Sequence, residues 1–292
     1  MCALLFVFLP NPTLPTPEKL IAPVLRESSV IPPTPAPYPV RSGAGAPAVS
    51  AKAAYVVDVD SMVPLYVKNP DEPLPPASLT KIMTALVALE TFGDDRVLGA
   101  TDDGPVIGKT IKLTRSEQFS FSDLLYGLLL ESGNDVALAL GENYPGGYQH
   151  MVSDMNQKAR KLNLLRTSFR NASGIDENDH VISARDAAVL AIEAMRNDHF
   201  RAIVGTREKT VTAVDGTTSR RFTNTNELIG AVPGVLGVKT GTTDNAGECL
   251  VTYVERDGHR IVTVLLGSRN RFAETRNLIE WAFGNHDWKP LL

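Results

Sequence analysis

The chain has 292 residues, enough for one large domain or two modest ones, and 43% of them are hydrophobic, which suffices for a real core. Its 29 basic and 33 acidic side chains leave a formal net charge of -4, so charge makes no case for a nucleic-acid partner or for adhesion to anionic lipid. Cys2 and Cys249 are its only cysteines, and His150, His180, His199, His259 and His286 are scattered without i,i+4 pairs, so neither a disulfide framework nor a metal site is written in the chain. No metal and no organic cofactor are expected, and Cys249 reads as a small core residue.

In chain order, residues 1–9 are a short apolar stretch, well under the roughly 20 residues a membrane-spanning helix needs. The stretch reads either as a clipped signal segment or as a greasy terminus, since the usual basic n-region is missing. Residues 10–50 are crowded with proline, including Pro32-Pro33-Thr34-Pro35-Ala36-Pro37 and Pro39, and lack helical or strand periodicity, which predicts an extended linker or tether. The folded domain is expected over 51–292. Ala54 to Val59 and Pro64 to Val67 predict two strands joined at Asp60-Ser61. A helix follows, with Leu79, Ile82, Met83, Leu86 and Val87 on one face, and Pro75-Pro76 prevents it from starting earlier, so Ser78 falls at its N-terminal end.

The middle reads as helical over 122–130, 135–142, 148–162 and 184–196, the last capped by Ser183. The last third changes to strands over 237–242, 247–255 and 260–267, with Asp257-Gly258 as a hairpin signal, and a closing helix over 272–283. Strands from both ends with helices between predict an α/β chain of the α+β type: a five-stranded antiparallel sheet flanked by helices, with an inserted helical lobe.

Three short patterns carry chemistry. Ser78-Leu79-Thr80-Lys81 sets a hydroxyl and an amine one helical turn apart on one face, and a lysine kept neutral by burial or by a neighbouring cation can activate a serine. Ser132-Gly133-Asn134 lies between two predicted helices, on a tight turn attributed to Gly133. A second Ser-x-Asn, Ser268-Arg269-Asn270, shows how cheaply that pattern arises, and order along the chain selects Ser132. Lys239-Thr240-Gly241-Thr242 ends a predicted strand and offers a cation, two hydroxyls and a glycine, suited to an extended ligand that ends in a carboxylate.

In the order SxxK, SxN, KTG, these motifs resemble the penicillin-binding protein and serine β-lactamase superfamily. Pro75 to Leu86, Glu131 to Asp135, Ser183 to Asp186 and Gly237 to Gly247 look like the low-molecular-weight D-alanyl-D-alanine carboxypeptidases, over about residues 51–283. The resemblance implies a DD-peptidase fold, with Ser78 as nucleophile, Lys81 as its base, and Ser132 and Asn134 completing the catalytic group. It also implies Lys239, Thr240, Gly241 and Thr242 as the substrate-binding strand, and the amides of Ser78 and Thr242 as oxyanion donors. Arg269 matches a family arginine near the carboxylate pocket, with an exposed strand-end cation as its alternative reading.

The implied substrate is the peptidoglycan stem peptide, with β-lactam antibiotics as covalent inhibitors and an extracytoplasmic location. Some relatives carry histidine where this chain has Thr242. Many continue into a β-rich domain and a C-terminal anchor, so any membrane tether here is expected at the N-terminus. Three rivals stand beside the carboxypeptidase: an endopeptidase acting on cross-links, a β-lactamase, and a catalytically idle penicillin-binding wall module. The acids Asp176, Glu177 and Asp179 look like the family loop before Ser183, not like a deacylating base.

Overall fold

A computed structural model of the chain describes residues 36–101 and 104–290. The expected apolar segment 1–9 and the proline-rich stretch up to residue 35 lie outside the described residues. The sequence reading puts residues 38–41 in the linker; here Tyr38–Arg41 form β1, paired antiparallel with β11 (His286–Lys289), Pro39 facing Trp288. A proline is tolerated because the pair is only two strands wide, and the partner lies at the far end of the chain, where no local pattern announces it.

The two expected N-terminal strands are β2 (Ala53–Asp58) and β3 (Pro64–Lys68). A single 3-10 turn, Ala77–Leu79, leads into α1 (Thr80–Leu89), which is buried from Thr80 to Ala88. Then come β4 (Val97–Gly99), β5 (Gln118–Ser120), α2 (Phe121–Leu129), α3 (Asn134–Glu142), α4 (Tyr148–Lys161) and α5 (Ala184–Met195). Ser183 Oγ caps α5 by accepting from Asp186 N–H, as its position predicts. A short helix α6 (Asp198–Val204) and a hairpin, β6 (Glu208–Thr212) with β7 (Ser219–Thr223), come next. The chain then makes β8 (Val235–Thr243), β9 (Gly247–Arg256), β10 (His259–Ser268) and α7 (Arg271–Gly284).

The main sheet has five antiparallel strands in the order β3-β2-β10-β9-β8, so the N-terminal pair docks on the edge of the C-terminal meander. Both faces of the sheet are covered, and β2 shows how. Ala53, Tyr55 and Val57 enter the core shared with the helical lobe, while Ala54 and Val56 enter a second core under α7 with Leu278, Ile279 and Trp281. Cys249 is fully buried, as its apolar run predicts. With β8 at one sheet edge and α1 in the centre of the lobe, the cleft between them brings the three sequence motifs together.

Candidate active site

Ser78 occupies the 3-10 turn before α1, and one turn on, Lys81 is completely buried. Lys81 Nζ lies 3.0 Å from Ser78 Oγ and donates at 2.6 Å to Asn134 Oδ1 and at 2.6 Å to the Ser173 carbonyl. The amide orientation of Asn134 is set independently, because its Nδ2 donates to the Ile107 carbonyl at 2.7 Å. Burial, and then the cation of Lys239, push the Lys81 amine well below the usual lysine range, against the opposing pull of Asp135. A neutral amine has two N–H donors and one lone pair. In the neutral state the two N–H groups serve the short bonds to oxygens that cannot donate, and the lone pair then faces the Ser78 hydroxyl. That is the geometry of a general base.

Ser132 and Asn134 are 7% and 8% exposed. The turn between α2 and α3 has its left-handed residue at Ser132, with φ +65°, and Gly133 is not in that region. The sequence reading credits the tight turn to Gly133, whereas the strained position is the serine itself. Asp135, next in line, accepts from the N–H groups of Ile111 at 3.1 Å and Leu113 at 2.9 Å and so anchors the 104–114 segment beside the cleft. In the other Ser-x-Asn, Asn270 caps α7 through Ala273 N–H, an ordinary structural use.

The opposite wall is β8. Lys239 is 1% exposed and donates to the Thr240 carbonyl at 3.1 Å; burial and the nearby cations Lys109 and Arg271 push its amine down to about 7. Thr240 Oγ1 lies 2.7 Å from Thr225 Oγ1. At Gly241 the strand presses against the Ser78 turn, and a Cβ there would come within 2.9 Å of Ser78 N, so a larger residue would push the two walls apart. Thr242 is exposed at the cleft.

Arg269 does not join this group. Its side chain is exposed and its backbone N–H donates to Ser50 Oγ. The guanidinium at the strand end belongs to Arg271, whose Nη1 donates to the Gly241 carbonyl at 2.8 Å and to Thr242 Oγ1 at 2.5 Å. Arg269 follows the end of β10, whose pairing with β9 is irregular between Leu265 and Ser268, whereas Arg271 begins α7 and reaches back to the end of β8. Sequence reasoning also missed Ser173, which contributes a carbonyl and so carries no side-chain signature, and Lys109, which lines the cleft and pairs with Glu131 at 2.9 Å.

Between the walls lies a cleft of about 310 Å3, lined by Ser78, Asn134 and Thr242 with Ile107, Lys109 and Asp176. A nucleophile with an adjacent base, at the foot of a cationic strand that ends in hydroxyls, can perform acyl transfer on an extended ligand with a terminal carboxylate.

Residues 41–270 match the D-alanyl-D-alanine carboxypeptidase family model. The carboxypeptidase DacF of Bacillus subtilis is 34% identical over 82% of this chain and 64% of its own length, so the chain spans less than two thirds of that relative. The crystal structure of the Streptomyces K15 DD-transpeptidase superposes with a TM-score of 0.75 at 28% identity, covering 82% of this chain and all of that one. The ampicillin-bound penicillin-binding protein D2 of Listeria monocytogenes does so with a TM-score of 0.73 at 30% identity, over 82% of this chain and 100% of that one. With fold, motif order and site geometry in agreement, the chain belongs to the D-alanyl-D-alanine carboxypeptidase family of serine peptidases.

Proposed function

We propose that this protein is a serine-type D-alanyl-D-alanine carboxypeptidase that removes the terminal D-alanine of peptidoglycan stem peptides through an acyl-enzyme on Ser78. The observation that carries this reading is the buried amine of Lys81, 3.0 Å from Ser78 Oγ with its other partners unable to donate. Ser78 Oγ attacks the carbonyl carbon between the two D-alanines while its proton passes to Lys81 Nζ. The developing oxyanion rests on the N–H groups of Ser78 and Thr242, a contribution of roughly 3–4 kcal/mol in such sites.

The C–N bond then breaks, the departing amine taking a proton by way of the Ser132 hydroxyl, and the terminal D-alanine leaves. Asn134 holds Lys81 and the substrate backbone together. Lys239 keeps the field positive, which favours a neutral Lys81, and Thr240, Thr242 and Arg271 hold the terminal carboxylate. Water then hydrolyses the ester at Ser78. A substrate of this kind lies outside the cytoplasm, in the periplasm or at the outer face of the membrane, and β-lactams mimic it as covalent inhibitors. Among the described residues no helix is long and apolar enough to cross a membrane, and the proposed tether lies in the N-terminal segment.

A β-lactamase needs a free general base for deacylation. Asp176 lines the cleft, but its carboxylate accepts from Thr243 Oγ1 at 2.7 Å and from Asn245 N–H at 3.2 Å, which supports slow deacylation. Intact-mass spectrometry with penicillin, alongside D-alanine release from a peptide ending in D-Ala-D-Ala, tests the reading on wild type and Ser78→Ala. A persistent adduct and D-alanine release, both lost in the variant, are expected. No adduct with intact antibiotic would favour an idle wall-binding module; rapid consumption of the antibiotic would favour a β-lactamase. Cleavage confined to a cross-linked peptide would favour an endopeptidase.

A further inference from the structure

The proposed oxyanion donor, Ser78 N–H, belongs to the Ala77–Ser78 peptide. A peptide unit is rigid and planar, so the direction of the Ala77 carbonyl fixes the opposite direction of the Ser78 N–H. That unit sits in an unfavourable place. Ala77 has φ +48°, a left-handed conformation in which a Cβ crowds the following carbonyl oxygen. Ser78 N–H meets no acceptor among the described residues, so it does nothing to hold the peptide in place.

The carbonyl end of the unit is held. Thr80, fully buried, donates both its backbone N–H and its hydroxyl, the latter at 2.9 Å, to the Ala77 carbonyl, so the hydroxyl sets the carbonyl's direction from the side chain. Gly174 packs so closely behind that carbonyl that a Cβ there would lie 1.8 Å from its oxygen. The hydroxyl has only one proton, and what directs it is His180, 2% exposed, whose Nε2 is 2.8 Å from Thr80 Oγ1. At the other side of the ring, Nδ1 accepts the Arg170 backbone N–H at 3.2 Å. Because Nδ1 is an acceptor, the neutral ring carries its proton on Nε2 and donates to Thr80 Oγ1, so the threonine proton is left for the Ala77 carbonyl.

The chain of donors therefore runs in one direction, from Arg170 N–H through His180 and Thr80 to Ala77. Burial keeps the ring neutral, with its pKa pushed down to about 4 against the opposing carboxylates of Glu177 and Asp176 and with the help of Arg170.

We infer that His180 and Thr80 are positioning residues for the acylation step, aiming the Ser78 N–H at the oxyanion by fixing the Ala77 carbonyl from behind. This rests on the carboxypeptidase reading. A purely structural alternative exists, since His180 also packs edge-on against Phe169 at 5.9 Å between ring centres. The test therefore separates the hydroxyl and the N–H from the volume they fill.

In the full chain, the acylation rate by penicillin is followed by intact mass, kcat and KM by D-alanine release, and folding by thermal melts. Thr80→Val keeps the shape and removes the hydroxyl; acylation and kcat should fall by about tenfold or more with KM little changed, since an oxyanion donor acts on the transition state. Thr80→Ser should restore the rate to within about threefold of wild type, because it restores the donor. His180→Gln retains an amide N–H near the Nε2 position and should stay well above His180→Leu. The double variant Thr80→Val with His180→Leu should lose no more than the worse single one, as expected of residues acting through one chain.

Wild-type acylation rates in folded Thr80→Val, multiplying losses in the double variant, or an effect on KM alone would overturn the inference. Should Thr80→Val not fold, a loss in folded Thr80→Ser or His180→Gln as deep as in His180→Leu would overturn it equally. Failure of wild type itself to form an adduct strikes the carboxypeptidase reading, not this one.

Discussion

The two walls of the cleft each bury a lysine, and they handle it in different ways. On the helical wall Lys81 has three partners around one nitrogen, Ser78 Oγ, Asn134 Oδ1 and the Ser173 carbonyl, all within 3.0 Å. On the strand wall Lys239 has one carbonyl, that of Thr240, and the cations Lys109 and Arg271 outweigh the one acid near it, Glu131. The first arrangement holds an amine whose lone pair faces a hydroxyl, which suits proton transfer. The second makes a positive field with donors left over, which suits holding an anion. Burial lowers both pKa values, and the coordination decides what each amine can do.

Removing the amine of the helical wall should give the largest effect. Lys81→Met should slow acylation by roughly 10^3 to 10^4, the upper range for loss of a general base, while thermal stability changes little, because relief from desolvating the amine offsets the two buried acceptors left unpaired. A melt lowered by several degrees would show instead that the three contacts hold the lobe together.

Next comes the pH dependence of stability, again on the helical wall. Folded His180 stays neutral down to about pH 4, whereas the unfolded chain takes up a proton near the ordinary value of 6.5. Between these values the unfolded state binds more protons, so stability is full above pH 6.5 and falls on acidification towards pH 4, by up to about 3 kcal/mol. Denaturant unfolding at several pH values should show this slope in wild type and a flatter one in His180→Gln.

The strand wall should answer to geometry. Gly241→Ala introduces a Cβ within 2.9 Å of Ser78 N and should cost about 10^2 in acylation rate, the usual scale for a misplacement near 1 Å. An unchanged rate would mean that β8 and the Ser78 turn have more room to shift than their close approach implies. The smallest effect is expected at the end of β8. Arg271→Ala should raise KM for a peptide with a free C-terminal carboxylate by about tenfold, with kcat nearly unchanged, the loss of one charge-assisted bond. Arg269→Ala, on the exposed side, should leave both within about twofold, since isolated surface charges contribute little. Equal effects from the two arginines would erase the distinction drawn between them.

The sequence made the elements with strong local signals legible. The apolar face from Leu79 to Val87 predicted α1, Asp257-Gly258 predicted the β9–β10 hairpin, and Ser183 predicted the cap of α5, each within a residue or two of the observed bounds. Where the partner is remote, the pattern went silent. The β1–β11 pair, the β6–β7 hairpin and the short α6 draw their stability from tertiary contacts more than from propensity, and none stands out in its own stretch of sequence.

The same divide runs through the site. Residue type and spacing paired Ser78 with Lys81, because a nucleophile and its base one helical turn apart are local facts, while Ser132, Asn134 and the Lys239-Thr240-Gly241-Thr242 strand joined them through the order of the three motifs and the family resemblance it carries. Long-range packing settled the rest. The passage from β10 into α7 left Arg269 exposed and brought Arg271 to the end of β8, and a backbone carbonyl from Ser173 completed the shell of Lys81. His180 came to lie behind Thr80, a hundred residues away in the chain. Side-chain chemistry is written in the order of residues; backbone carbonyls, strand irregularities and the depth of burial that moves a lysine's pKa exist only once distant segments meet.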